Sequence, residues 1–328
     1  MLISVTAVVV SYNRAGRLRE CLDGLYTQTR RPDRVILIDN ASTDGAVAVA
    51  RAHPLKPEIT VLDHNVGGAG GFCAGIALAL GSNDTTHVWL MDDDTVPTPT
   101  ALERLLEAGE EARERNAVWP AALGSKAVWT DGREHLMNKP RERTWLALGG
   151  RHLVRSAGAY QVRSLSFVSC LLSARAIRAA HALPRSAFFL WNDDYEFTTR
   201  LLRRATGYYV PDSEVVHKTK VFGSSDADPG PRFFYEVRNK CWVLRHSGGN
   251  FTPAEYAELL LKTLRRWALT IMRSHDRKLT FSCLGRGLRE GLGTNPRSNA
   301  VLLAGNPEVV AAIRTVEPSD IEPSAVER

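Results

Sequence analysis

The 328-residue chain has no Cys-x-x-Cys pair: Cys21, Cys73, Cys170, Cys241 and Cys283 stand scattered along it. That argues against a zinc site and a disulfide framework, and suits reduced thiols in a cytoplasmic compartment. Long apolar runs are missing as well. None approaches the ~18 residues that a bilayer-crossing helix requires, so a protein integral to a membrane is not expected. The opening "MLISVTAVVVSYNR" lacks the basic head and small-residue cleavage site of a secretory leader, and reads as a first buried strand. There are no internal repeats and no long low-complexity segment. An acidic excess is lacking too: 42 Lys and Arg against 36 Asp and Glu leave a net charge of +6. The resulting pI near 9.2 fits an anionic ligand, nucleic acid or a membrane surface.

What is present is an ordinary globular composition, 44% hydrophobic and 24% charged, with a regular order of elements. "ISVTAVVV", "RVILID", "EITVLD" and "HVWLM" read as strands. Helical patterns lie between them over Arg17 to Thr27, around Ala46 to Ala52, and in "GFCAGIALAL". The alternation predicts an α/β fold, a Rossmann-like, mostly parallel sheet with helices on both faces. In such sheets ligands sit beyond the carboxyl ends of the strands. The polar clusters fall there: Ser11 to Asn13, Asp39 with Asn40, Asn65 to Gly71, and Asp92 to Asp94. The organisation read from the pattern is a main domain over 1–235, in halves 1–120 and 121–235. The second half is less regular and strand-rich, and ends in a helix from about Asp193 to Ala205 and a strand "YYVPDSEVVH". A basic helical C-terminal region follows over 236–304, then a frayed acidic and proline-bearing tail, 305–328.

Asp92, Asp93 and Asp94 end the fourth strand. Three adjacent carboxylates repel one another, more so at a buried strand end, and Mg2+ or Mn2+ removes the penalty. The two-residue period of extended chain points Asp92 and Asp94 the same way, toward a metal, and Asp93 the other way. A solvated acidic turn would give the same spacing. "NVGGAGGF" follows a strand and opens a helix, where backbone N–H groups can approach a phosphate. It matches neither the dinucleotide fingerprint nor a P-loop, and a tight turn with close helix packing is an equal reading. In "NDDYEF", Asp193 and Glu196 share a helical face with Phe197 and Arg200 while Asp194 points elsewhere; carboxylates at a helix start also serve simply as caps. His217, closing a strand, would by itself be a structural histidine. "RFFYEVRNKCWVLRHSGG" mixes aromatics with Arg232, Arg238, Lys240 and Arg245, which suits sugar stacking and phosphate grip or an amphipathic helix against a core. Further on, Leu259, Leu260, Leu264, Trp267, Ile271 and Met272 lie near one helical face with Lys262, Arg265, Arg266 and Arg273 around it. Such a face suits a membrane surface or packing against the main domain.

In order, "VVVSYNR", "ILIDNASTDG", "NVGGAGGF", "WLMDDD" and "DDYEFTTRLLRRATGYYVPDSEVVH" resemble a family 2, GT-A glycosyltransferase over about residues 3 to 220. The segments "NVGGAGGF" and "RFFYEVRN" are most similar to the actinobacterial galactofuranosyltransferases that initiate cell-wall galactan. The resemblance implies a GT-A fold and an inverting transferase. Asp92 and Asp94 of the Asp-x-Asp motif would hold Mn2+ or Mg2+ with His217, and Asp194 would be the catalytic base. The nucleotide-sugar donor, UDP-galactofuranose by this likeness, would meet Ser11, Tyr12, Asn13, Asp39, Asn65, Gly67, Gly70 and Asp93. The acceptor side would be Trp191, Asp193, Arg238 and Asn239. A lipid-linked glycan acceptor would place the enzyme peripherally on the cytoplasmic face of the cell membrane. The motif Asn192-Asp193-Asp194 departs from the family's usual Glu-Asp-x-Asp spelling. Three alternatives accompany this reading: a rhamnosyltransferase using dTDP-rhamnose; an NTPase, disfavoured because no Walker A motif is present; and a nucleic-acid-binding module, disfavoured because the richest cluster is acidic.

Overall fold

The computed structural model describes residues 3–140, 159–219, 222 and 228–318. Its first half follows from apolar, β-branched runs that are buried on both sides, as in parallel sheets covered by helices. Val5–Ser11 forms β1, Arg34–Asp39 β2, Glu58–Val61 β3 and His87–Asp92 β4, all parallel. The remaining strands are β5 (Thr95–Pro97), β6 (Ala122–Val128), β7 (Tyr160–Gln161), β8 (Cys170–Ser173) and β9 (Gly207–His217). They join one sheet in the order β3-β2-β1-β4-β8-β6-β9-β5, with β7 on β9. Only β5, β7 and β8 run against the others.

Alternate residues of a strand face opposite sides, and each side has its own core. Val8, Val10, Ile36, Ile38 and Leu90 pack with Ile76 of α3 (Gly67–Leu80) on one face. Ala7, Val9, Leu37, Trp89 and Met91 pack on the other with Leu22 of α1 (Ala15–Tyr26) and Leu105 of α4 (Ala101–Asn116). Among the described residues, a short α2 (Ala46–Ala52) and α5 (Ala174–Ala180) complete the α-helices ahead of α6 (Asp193–Leu202).

The glycines of α3 have a packing role that the sequence reading left open. Gly67, Gly71 and Gly75 recur every four residues, along one face of the helix. A Cβ would lie 2.4 Å from Val10 at Gly71 and 2.2 Å from Val8 at Gly75, so their absence lets the helix lie directly on β1. Gly67 (φ +74°) abuts the Phe189 carbonyl oxygen, where a Cβ would sit at 2.0 Å, and Gly70 meets Val66.

Two expected boundaries are corrected. The break at 235/236 falls inside α7 (Phe233–His246), whose Phe233 and Trp242 are buried, so the aromatic-basic segment packs inward as an integral part of the fold. The supposed frayed tail contains α11 (Pro307–Val316), whose Val309, Ile313 and Val316 recur at helical spacing and enter the same core as α3. Between them lie α8 (Pro253–Arg273), α9 (Arg277–Gly293) and α10 (Asn299–Leu302). On α8, Leu259 and Trp267 are buried while Leu260, Leu264 and Met272 are exposed, so the expected single apolar face is divided. Among the described residues no helix is long and apolar enough to cross a membrane.

Candidate active site

The site is assembled where β4 ends. A turn at Asp93 and Asp94 reverses the chain into β5, which pairs with the end of β9 so that Thr95 lies opposite His217. The Lys218 amide donates to the Asp94 carbonyl oxygen at 2.8 Å, locking the turn against that strand. Residues more than 120 positions apart are thereby brought together: ligand atoms of Asp92, Asp94 and His217 all lie within 4.8 Å of one another. His217 Nε2 stands 3.4 Å from Asp94 Oδ1, while its Nδ1 lies 2.9 Å from Asn138 Oδ1.

Asp93 turns the other way. Its Oδ2 accepts from the Ser11 hydroxyl at 2.9 Å and the Tyr12 amide at 3.2 Å, which ties the end of β1 to the end of β4. Arg14, which the sequence reading did not single out, donates from Nη1 to Asp93 Oδ1 at 3.2 Å and to Asp94 Oδ2 at 2.6 Å. Its signal was its place in "VVVSYNR", two residues beyond Tyr12. Burial, then the neighbouring Asp94 and Asp93, push Asp92 well above the usual carboxylate range. Burial also carries Asp93 up to about 6, against Arg14. Asp94 goes the other way: the hydrogen bond and charge of His217, with Arg14, outweigh burial and hold it low. Two carboxylates and an imidazole, with no thiolate, are a donor set for a hard divalent ion, whose charge would relieve the repulsion that raises Asp92.

The second acidic cluster opens α6. Asp193 is buried and Asp194 half-buried at the helix N-terminus, where backbone N–H groups favour negative charge. Asp194 Oδ1 accepts from the Tyr195 amide at 2.6 Å. Burial raises both, Asp193 to about 8 with the neighbouring Asp194 adding to it; at Asp194, Tyr195, Ser166 and Lys240 counter the rise. Asp193 also raises Asp92, so the two clusters act on one another across the site. The approach to α6 is unusual: Phe189, Trp191 and Asn192 all have φ between +61° and +67°. Non-glycine residues in this region carry strain that surrounding contacts must sustain.

Arg238 and Asn239, expected on the acceptor side, supply those contacts. Asn239 is fully buried, and its Nδ2 donates to the carbonyl oxygens of Phe188, Leu190 and Trp191 at 2.8–2.9 Å. Arg238 donates to the Ala187 and Phe188 carbonyls and to Glu290. Both residues therefore hold the strained loop. Glu236, on the same helix, accepts from Asn192 Nδ2 at 2.8 Å; the sequence carried no mark of that role.

On the donor side, Asp39 is fully buried. Its Oδ2 accepts from the Ser42 amide at 2.8 Å, and its Oδ1 has no hydrogen-bond partner among the described residues. Asn13 (φ +51°) accepts from the Thr43 amide at 2.7 Å, and the Tyr12 ring is exposed. Asn65 Oδ1 accepts from the Gly67 amide, a local cap on α3. Gly67 and Gly70 are accounted for by protein contacts, and Gly68 is the member of the glycine run with open space beside it.

Comparison with known proteins gives the family. The family model for Glycosyl transferase family 2 matches residues 6–172. Galactofuranosyltransferase GlfT1 of Mycobacterium tuberculosis is 30% identical over 262 residues, 75% of this chain and 83% of that protein. GlfT1 of Mycolicibacterium smegmatis matches at 37% over 100 residues, 30% of this chain and 32% of its own length. The N-acetylglucosaminyl-diphospho-decaprenol L-rhamnosyltransferase of M. tuberculosis is 25% identical over 302 residues, 83% of this chain and 95% of that one. Among solved structures, residues 1–349 of S. aureus TarS in complex with UDP superpose with a TM-score of 0.57 at 15% identity, covering 97% of this chain and 91% of that one. The chain belongs to glycosyltransferase family 2 and has the GT-A fold.

Proposed function

We propose that the protein is a metal-dependent inverting transferase that moves galactofuranose from UDP-galactofuranose to a polyprenyl-diphosphate-linked glycan. The observation that carries this reading is the convergence of Asp92, Asp94 and His217 at one edge of the sheet, within electrostatic reach of Asp193. Asp92, Asp94 and His217 would hold Mn2+ or Mg2+, which supplies Lewis-acid stabilisation of the departing diphosphate. Asp194 is the base: it takes the proton of an acceptor hydroxyl while that oxygen bonds to the anomeric carbon and the bond to the diphosphate breaks on the opposite side. The raised Asp193, protonated near neutrality, leaves the negative charge of the pair on Asp194 and can donate to an acceptor oxygen. The unpartnered Oδ1 of Asp39 suits acceptance from a uracil imide N–H.

The likeness to GlfT1 over three quarters of the chain favours the furanose donor. A second reading, L-rhamnose from a dTDP-sugar, is favoured by the match that spans nearly all of the mycobacterial rhamnosyltransferase. A lipid-linked acceptor suits the exposed Leu260, Leu264 and Met272 beside Lys262, Arg265 and Arg273, a face fit for an anionic membrane surface on the cytoplasmic side. A panel of UDP-galactofuranose, UDP-galactopyranose and dTDP-rhamnose with a synthetic polyprenyl-diphosphate glycan decides between the readings. Turnover with the first alone is expected, and turnover with dTDP-rhamnose alone replaces it with the second.

A further inference from the structure

Behind His217 lies a pair of hydrogen-bonded polar residues that belong to neither acidic cluster. His217 Nδ1 is 2.9 Å from Asn138 Oδ1, and Asn138 Nδ2 donates to the Ser166 hydroxyl oxygen at 3.2 Å. The Val168 amide donates to the same oxygen at 3.5 Å. Together these contacts fix the Asn138 amide against the Ser166 hydroxyl.

Asn138 Nδ2 faces Ser166 and its Oδ1 faces His217, and Oδ1 can only accept. His217 then donates from Nδ1, and when the ring is neutral its lone pair is on Nε2, the atom 3.4 Å from Asp94. A ligand histidine whose other ring nitrogen donates to a fixed oxygen is held in tautomer and in ring orientation. We infer that Asn138 is a positioning residue that holds His217 by Nδ1 and so presents Nε2 for metal binding. The inference rests on the metal assignment proposed above. Beside Asn138 and Ser166 is a cavity of about 10 Å³, also lined by Ser125 and Ser169. A truncated side chain at 138 therefore leaves polar space that water can fill rather than an apolar void.

Long-range 1H–15N NMR of histidine-labelled, metal-free protein at pH 8 reads the tautomer directly. His217 is expected in the Nδ1-protonated form, and Asn138→Ala is expected to release it to a mixture. An Nε2-protonated His217 in the unsubstituted protein overturns the inference. Mn2+ titrated with UDP present, read from the EPR signal of the free ion, is expected to bind about 10–100-fold more weakly to Asn138→Ala. Asn138→Asp, which keeps an oxygen for His217, is expected to retain Mn2+ affinity. Unaltered Mn2+ affinity in Asn138→Ala refutes the inference. No Mn2+ binding by the unsubstituted protein would instead sink the metal assignment beneath it.

Discussion

The two halves of the sheet solve the same problem differently. In the first, β1 to β4 are consecutive, parallel and apolar, and each delivers its polar residues to the same edge by the rule that sets crossover topology. Asp39, Ser11 and Asp92 need only local strand geometry to arrive there. In the second, the strands are mixed in direction, and the key groups arrive by long-range contact. His217 reaches Asp94 through the β5–β9 ladder, and Asp194 is aimed by a strained loop that Asn239 holds with one amide. Donor-side geometry is thus a property of the fold, whereas base-side geometry depends on a few buried polar contacts. Substitutions in the first half should show up mainly as changes in stability, and those in the second as changes in turnover.

The largest expected effects test that division at its centre. Asp194→Asn should lower kcat by about 10²–10⁴-fold, the usual contribution of a positioned base. UDP affinity measured by calorimetry should stay close to that of the unsubstituted protein. Retained turnover would shift the base to Asp193. EDTA should abolish transfer and excess Mn2+ or Mg2+ should restore it; full activity in chelator would remove the metal role from Asp92, Asp94 and His217.

The contrast also explains what the sequence could disclose. β1, β2 and β4 were legible because β-branched runs bounded by polar turns have few other meanings. Asp92 and Asp94 share a side without Asp93, as expected, but the chain turns at Asp93 and Asp94, so the grouping follows from that turn rather than from the alternation of extended chain. The glycines of α3 were ambiguous because a helix that needs to approach a strand and a loop that needs to approach a phosphate both call for a missing Cβ. Arg238 and Asn239 were ambiguous for a related reason: a buried cation and amide that satisfy backbone carbonyls look, one residue at a time, like ligand contacts. Asn138 had no pattern at all, since its contacts with His217 and Ser166 are set by the tertiary fold. The tail was misjudged on its last dozen residues, while Val309, Ile313 and Val316 carried the helical period just before them.

A smaller effect should appear in the first half as stability rather than catalysis. His87 opens β4, buried, its ring 4.7 Å from that of Trp119 and its Nδ1 2.9 Å from the Thr86 hydroxyl. Burial lowers its pKa to about 4. The unfolded chain takes up a proton near the ordinary value of ~6.5 that the folded chain refuses until about 4, so stability falls as pH drops through that window. Between pH 7 and pH 5 this one group should cost roughly 2 kcal/mol of unfolding free energy. Denaturant titrations at the two pH values should show that loss diminished in His87→Gln; an equal acid loss in both proteins would assign it to other groups.

The finest test sets two glycines of the same helix against each other. At Gly75 a new Cβ would lie 2.2 Å from Val8, with strand and helix both fixed by the core. Gly75→Ala should therefore destabilise by about 1–3 kcal/mol through overpacking, with little change in KM for the donor among the folded molecules. Gly68 has nothing within 4 Å of its Cβ direction, so alanine there meets no steric opposition. It also removes the conformational freedom of a glycine in a helix, and Gly68→Ala should stabilise by about 0.5–1 kcal/mol. If the run is a packing device alone, UDP binding is unchanged in Gly68→Ala. A loss of UDP affinity at that position, with the stability gain intact, would mean that the open glycine lets the backbone approach a diphosphate, and the run would then serve both strand and ligand.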